Sequence, residues 1–345
     1  MKKVTGGILL ILLIAALAVA WLFLAPATDF PGKNKYLFVR DGESPREAVL
    51  MQIDTGHLIS HPSVFRWLAS STGVWKKLGP GRFEIIRGES LVTIIRRLRN
   101  NHQSPVKLVI TKLRTRENFA KLIGKNFPYD SSFVIRFVSN NDSLDRWKVD
   151  TATFMTLVLP DTYQIYWNTS LVKVIDRLAQ TSTGFWHRNN RDGKAAAEGL
   201  TPKEVYTLAS IIEEETNKND EKGNIASVYI NRLHKGMALG ADPTIKFALR
   251  DFSLKRILFG HLGVQSPYNT YRNKGLPPGP ICTPSAASID AVLNAPKTDF
   301  LYFVAKSDFS GHHQFSSNFA QHQQYAKAYQ LALDQRTQLQ KQESK

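Results

Sequence analysis

Apolar and polar residues change their rhythm several times along the chain. Residues 6–27, GGILLILLIAALAVAWLFLAPA, carry no charge and form a run of about 20 residues, long enough to cross a bilayer as a helix. After a Pro/Gly-containing segment at 28–34, apolar and polar positions alternate over 36–40 (YLFVR), as in a strand with one face buried. A turn follows at Asp41-Gly42, then a helix start with Ser44 as N-cap and Pro45 in the first position. The same plan returns one module later. RFEII predicts a strand over 82–86, Gly88 turns the chain, Ser90 caps, and Ile94, Ile95 and Leu98 mark one helical face. The shared R-(D)-G-E-S turn makes this an internal near-repeat, or a generic βα connection used twice. A strand over 106–110 and a helix from near Thr115 come next. VLPDTYQIYWNTS at 158–170 reads as a packed loop, and 171–190 as a helix.

The strongest helical signal starts at Thr201, with Pro202 in the first position and Glu204 completing a capping box. Advancing ~100° per residue, Val205, Leu208, Ala209 and Ile212 share a face that Tyr206 and Ile211 widen. The helix runs into three consecutive carboxylates, Glu213, Glu214 and Glu215. Glu214 falls opposite the apolar face and is expected to be solvated. Glu213 and Glu215 fall on its edges, Glu215 beside Leu208 and Ile211. Apolar neighbours raise a carboxyl pKa, and a general acid working near neutral pH must keep its proton. Glu215 is therefore the candidate acid. The alternative is a half-buried glutamate that only pairs with backbone or arginine. A second helix is expected over roughly 220–235, ending at Gly236.

Composition narrows the partners. Of 345 residues, 45 are Lys or Arg and 29 Asp or Glu, for a formal charge of +16. Such an excess suits an anionic partner or a solvated basic surface. Basic residues cluster at Arg96, Arg97, Arg99, Lys112, Arg114 and Arg116. The single cysteine, Cys282, excludes an intrachain disulfide and is expected to pack. His312 and His313 are not spaced as metal ligands and no HExxH occurs, so neither metal nor cofactor is expected. Lys2 and Lys3 before the apolar run, with no lysine or arginine directly after it, predict a cytoplasmic N-terminus and an exported body. A cleaved signal peptide with Ala25-Pro26-Ala27 as its small-x-small site is the rival. Either way, nucleic acid is excluded as a natural partner.

The blocks PDTY (160–163), ASIIEEET, ASVYINRL, DPTI, YNTY, GLPPGPICTPSAASIDA, APKTDFLYFVA and HQFSSNFAQH occur in an order that resembles the endolytic murein transglycosylase (MltG, YceG-like) family, over about residues 155–328. The resemblance implies an enzyme that cuts peptidoglycan glycan strands internally, leaving 1,6-anhydro-N-acetylmuramic acid ends and using one essential glutamate. The last glutamate of EEET, Glu215, matches it. Asn231, Asp242, Tyr268, Asn269, Thr270, Tyr271 and His313 match other family blocks and are candidate substrate contacts; Asn231 and Thr270 suit structural roles better. LPPGP at 276–280 is expected to frame the cleft. The chain departs from the family pattern at Gly240, where a polar residue is usual, and at Glu214, commonly lysine.

The expected fold is α+β: a transmembrane anchor within 1–27, a linker over 28–34, a small LysM-like βα module over 35–105, a linking region over 106–200, a mixed helix/strand catalytic core over 201–330, and a polar tail over 331–345. The expected function is a single-pass protein of the cytoplasmic membrane whose extracytoplasmic domain cleaves the MurNAc-GlcNAc bond of nascent strands beside the peptidoglycan synthesis machinery. A conventional glycan hydrolase and a noncatalytic peptidoglycan-binding scaffold are the alternatives.

Overall fold

A computed structural model describes residues 2–343. Met1, and Ser344 and Lys345 at the end of the expected polar tail, lie outside the described residues. The fold is mixed α and β, mostly helical, with three two-stranded sheets among the described residues: β1-β2 and β5-β6, both antiparallel, and β3-β4. The chain divides into two compact units. One holds the chain up to Leu108 with Asn126–Pro128 and Tyr163–Ser170; the other holds Val109–Lys125, Tyr129–Thr162 and the chain from Leu171 onward.

The first unit contains helix α1 (Lys2–Leu24), strand β1 (Asn34–Val39), helices α2 (Pro45–Gly56), α3 (Pro62–Ser71) and α4 (Val74–Lys77), strand β2 (Gly81–Ile86) and helix α5 (Leu91–Arg99). Over Gly6–Leu24, α1 has a mean hydropathy of 2.9 and is long and apolar enough to cross a membrane. The near-repeat is real in geometry. Gly42 and Gly88 both have φ +82, a left-handed conformation that glycine adopts without strain. Ser44 and Ser90 both cap the following helix. The amides of Arg40 and Ile86 each donate to the glutamate three residues on, Glu43 and Glu89, at 3.1 and 2.8 Å. The two repeated strands pair antiparallel, with Leu37 opposite Phe83. Their inward residues Leu37, Val39, Phe83 and Ile85 meet Leu91, Ile94 and Leu98 of α5 in one core. Ala27 and Phe30, at and just after the end of the apolar run, are buried in that core too.

Strands β3 (Val106–Ile110) and β4 (Asp161–Ile165) each carry residues of both units; the second unit holds helices α6 (Arg116–Asn126, less its last residue), α7 (Ser131–Val138), α8 (Asn141–Leu144), α9 (Leu171–His187) and α10 (Arg191–Ala197). The segment read as a loop at 158–170 therefore contains a strand. Its partner is β3, a pairing that no local pattern announces. The helix read over 171–190 ends at His187 and continues as a short 3-10 turn. Next come α11 (Pro202–Glu215), α12 (Lys222–His234), α13 (Asp242–Leu249), α14 (Ala286–Leu293), strands β5 (Tyr302–Ala305) and β6 (His313–Ser316), and α15 (Phe319–Glu343).

Helix α11 starts as its sequence dictates, with Pro202 in the first turn and the complete Thr201/Glu204 capping box. It is not the one-sided helix the periodicity suggested. Every residue from Val205 to Ile212 is buried, because α12, α13, α14 and α10 all pack on it. Burial on its polar side is offset by hydrogen bonds: Thr207 donates to the Lys203 carbonyl at 2.8 Å and Ser210 to the Thr207 carbonyl at 2.7 Å. Cys282 is buried and its Sγ lies 3.4 Å from the Ser210 carbonyl; burial pushes its thiol pKa well up, as expected of a packing residue.

Candidate active site

Helix α11 ends at Glu215 because Thr216 takes an extended conformation, φ −145° and ψ 144°. The Thr216 hydroxyl turns away from the helix and donates to Glu221 Oε1 at 2.6 Å. Glu221 also accepts the His313 amide and lies 2.9 Å from His313 Nδ1. Burial alone would raise the Glu221 pKa, but the Thr216 and His313 hydrogen bonds outweigh it and hold the carboxylate ionised. This cluster ties the turn after Glu215 to β6.

The three glutamates meet three different environments. Glu213 is half-buried among donors: Ser288 at 2.5 Å, Ser285 at 2.7 Å and Lys222 at 3.3 Å. Burial raises its pKa, but the two serines and the lysine charge prevail and the net shift is downward. Glu214 was expected to be solvated. It is instead 16 % exposed and paired with Arg114 at 2.9 Å and Lys112 at 3.2 Å; the segment before α6 lies along this side of the helix, which helical periodicity could not report. Glu215 is half-buried, and its one hydrogen bond among the described residues is from the Tyr229 hydroxyl, at 2.5 Å. Burial is the main cause that lifts its pKa from 4.5 to about 7; the Tyr229 bond pulls down, Asp242's charge pushes up and Lys246's pulls down.

Glu215 opens on a cleft of about 460 Å³ lined also by Tyr229, Arg232, Gly240, Asp242, Tyr271, Phe303 and His322. The Tyr271 hydroxyl donates to Asp242 Oδ1 at 2.5 Å, and burial followed by that contact raises the phenol's pKa. Arg232 is held from behind by the carbonyls of Leu301 at 2.7 Å and Leu239 at 2.7 Å. Phe303 meets the Tyr229 ring edge-on at 5.8 Å. The His322 ring stacks on Tyr302 at 5.2 Å, and its buried Nδ1 has no hydrogen-bond partner among the described residues. Burial and then Arg232 lower its pKa. Gly240 has φ +61, and a Cβ there would come within 3.4 Å of Arg232 Nη1. This left-handed backbone is one that glycine adopts without strain.

Of the residues singled out in the sequence, Glu215, Asp242 and Tyr271 are brought together in this cleft. Asn231 donates to the carbonyls of Thr298 and Phe300 at 2.9 and 3.0 Å. Thr270 is buried and accepts the Ala241 amide at 3.0 Å. Asn269 is buried and braces its own loop through the Leu262 and Val264 carbonyls, both at 2.9 Å. His313 stands against Glu221, and its ring meets Phe303 edge-on at 5.2 Å. Tyr268, Pro278 and Pro280 line a separate cavity, so the LPPGP turn does not frame the Glu215 cleft. Sequence reading missed Tyr229, Arg232, Phe303 and His322. Tyr229 and Arg232 lie three apart on α12 and so share a face; a tyrosine and an arginine on one stripe of a largely apolar helix were a usable signal.

In this arrangement one carboxyl can exchange a proton near neutral pH beside a hydrogen-bond donor, a second carboxylate and aromatic walls. Comparison with known proteins agrees on the lineage. The endolytic murein transglycosylase of Bacillus subtilis (strain 168) is 36% identical over 162 residues, 47% of this chain and 44% of that protein. The protein of that name from Streptococcus pneumoniae (strain D39) is 32% identical over 168 residues, 48% of this chain and 29% of that one. The chain thus spans less than half the length of either relative. A crystal structure of a yceG-like protein from Listeria monocytogenes covers 85% of this chain and 99% of its own, with a TM-score of 0.55 and 25% identity. The sequence profile of the YceG-like family matches residues 37–328, which is most of the chain: it belongs to the YceG-like family.

Proposed function

We propose that the protein is a membrane-anchored lytic transglycosylase of nascent peptidoglycan, with Glu215 as acid and then base. The observation that carries this reading is the Glu215 carboxyl itself, open to a cleft, bonded to Tyr229 and lifted to a pKa of about 7. Glu215 donates its proton to the oxygen bridging N-acetylmuramic acid to N-acetylglucosamine while C1 gains oxocarbenium character. The resulting carboxylate takes the proton of the same sugar's C6 hydroxyl as that oxygen bonds to C1. The bridging C–O bond breaks, a 1,6-anhydro bond forms, and no water is consumed. One carboxyl suffices because the nucleophile is intramolecular, whereas hydrolytic glycosidases use a pair.

Tyr229 steadies the transient carboxylate between the two proton transfers. Asp242 adds negative charge to the cleft, which favours positive charge on the sugar and keeps the Glu215 proton in place. Tyr271 and Phe303 offer ring faces to sugars. The apolar helix α1 serves as the anchor, N-terminus inward, and the antiparallel pair β1-β2 with α2 and α5 serves as the LysM-like module. A groove of about 780 Å³ in that first unit, with Phe38 and Trp167 rings 4.9 Å apart beside Arg40 and Met51, suits a saccharide. On this reading the enzyme works beside the machinery of peptidoglycan synthesis.

The test is a digest of un-crosslinked glycan strands by the full chain in detergent, read by mass spectrometry. Fragments one water lighter than hydrolysis products, absent with Glu215→Gln, are expected. Reducing ends would mean a hydrolase. Strands bound but uncut by the wild type would mean a scaffold.

A further inference from the structure

The chemistry at Glu215 makes no use of the basic cluster after β3. Arg114 and Arg116 line a cavity of about 280 Å³ together with Arg250, Phe247, Tyr268 and Pro278. Its lining holds three arginines, Arg114, Arg116 and Arg250, and no carboxylate among the described residues. Glu214 takes Arg114 and Lys112. Glu117 takes Arg250 at 3.2 Å, with both side chains about half exposed. Asp150 is occupied by the amides of Ala152 and Thr153 at 3.0 and 2.8 Å. Among the described residues Arg116 donates only to neutral groups, the Val138 carbonyl and the Ser139 hydroxyl, both at 3.0 Å. Arginine side chains lining a concave, partly apolar cavity suit a planar carboxylate better than a diffuse charge.

Helix α13 joins this cavity to the cleft. Asp242 at its first turn faces Tyr271 beside Glu215, Phe247 in its last turn lines the cavity, and Arg250 is its C-cap. Its eight residues span about 12 Å, a separation fixed by one rigid element. Peptidoglycan sugars carry short peptides that end in carboxylates. We propose that this cavity is a subsite for a free carboxylate of the peptide stem of a strand held at Glu215, and that it makes the enzyme favour stem-bearing over bare glycan. This rests on the transglycosylase reading for the source of the carboxylate.

The experiment measures binding of a synthetic alanyl-γ-glutamyl stem peptide to the full chain in detergent, with its carboxylates free or amidated, and with inorganic phosphate as competitor. The free peptide should bind about tenfold more tightly than the amidated one, the worth of one charge-assisted hydrogen bond. Arg250→Asn, a residue that tolerates the left-handed backbone at this position (φ +57), should erase the difference, and Arg250→Lys should restore part of it. The melting temperature of each variant checks its fold. On strands, the ratio of kcat/KM for stem-bearing over bare substrate should fall toward one in Arg250→Asn. Equal binding of free and amidated peptide, or no effect of Arg250→Asn on the ratio, overturns the proposal. Phosphate displacing the peptide at comparable concentration assigns the cavity to phosphate and overturns it too. Absence of anhydro ends with wild type, while the peptide still discriminates, would defeat the transglycosylase reading and not the carboxylate site.

Discussion

Glu213 and Glu215 stand two residues apart in the last turn of one helix, both withdrawn from solvent, yet their pKa values move in opposite directions. Burial pushes both up. On the Glu213 side two hydroxyls and an ammonium converge, and the carboxylate is the stable form. On the Glu215 side a phenol is the single hydrogen-bond donor among the described residues and another carboxylate adds repulsion, so the acid form persists up to about pH 7. Depth of burial therefore does not decide which glutamate holds a proton; the supply of donors does.

The sharpest break of this contrast is in activity. Glu215→Gln should lower the rate of anhydro-product formation by about 10³-fold, within the usual range for a general acid, while Glu213→Gln should leave the anhydro product detectable. The same mass-spectrometric digest reads both. In stability the order reverses. Glu213→Ala strands Lys222, whose side chain is 5% exposed, and should cost about 3 kcal/mol in urea unfolding.

The two residues should also oppose each other in pH. Glu213 has a folded pKa below its unfolded one, so its contribution is present above the unfolded pKa and is lost as pH falls through the folded value. Glu215 has a folded pKa raised from 4.5 to about 7, so its contribution is present below 4.5 and is lost as pH rises through about 7, by at most about 3 kcal/mol. Stability of Glu215→Gln relative to wild type should accordingly rise between pH 5 and pH 8. A flat difference across that window would contradict the assignment of the proton.

Smaller effects tune the contrast. Activity of the wild type should fall on the alkaline side as Glu215 loses its proton near pH 7. Tyr229→Phe removes the bond that favours the carboxylate, so this limb of the pH–rate profile should move up. Asp242→Asn removes the charge that disfavours it, so the limb should move down. Opposite displacements are the signature; a common direction would mean that both variants merely loosen the cleft. Least in size, affinity for glycan strands should weaken as salt is raised, since the chain carries +16 and screening at 0.15 M acts over about 8 Å.

Local patterns in the sequence determined a good deal of this. Thr201-Pro202-Glu204 set the start of α11, the repeated G-E-S turn set both strand-to-helix connections of the first unit, and the uncharged run set a helix able to cross a membrane. Each depends on neighbours within a few residues, so each is visible in one dimension. Apolar residues near Glu215 also pointed to the right carboxylate for a raised pKa. What stood around each glutamate was beyond reach. Ser285 and Ser288 come to Glu213 from 72 and 75 residues away, Arg114 comes to Glu214 from 100, and Tyr229 reaches Glu215 from the next helix. The family blocks named Asn231, Asn269, Thr270 and His313 but could not separate residues that brace loops from residues that face the cleft. Helical periodicity assigns a side chain to an angle on its own axis. Whether that angle meets water, a lysine or a phenol depends on which distant segments pack there, and that only the tertiary structure decided.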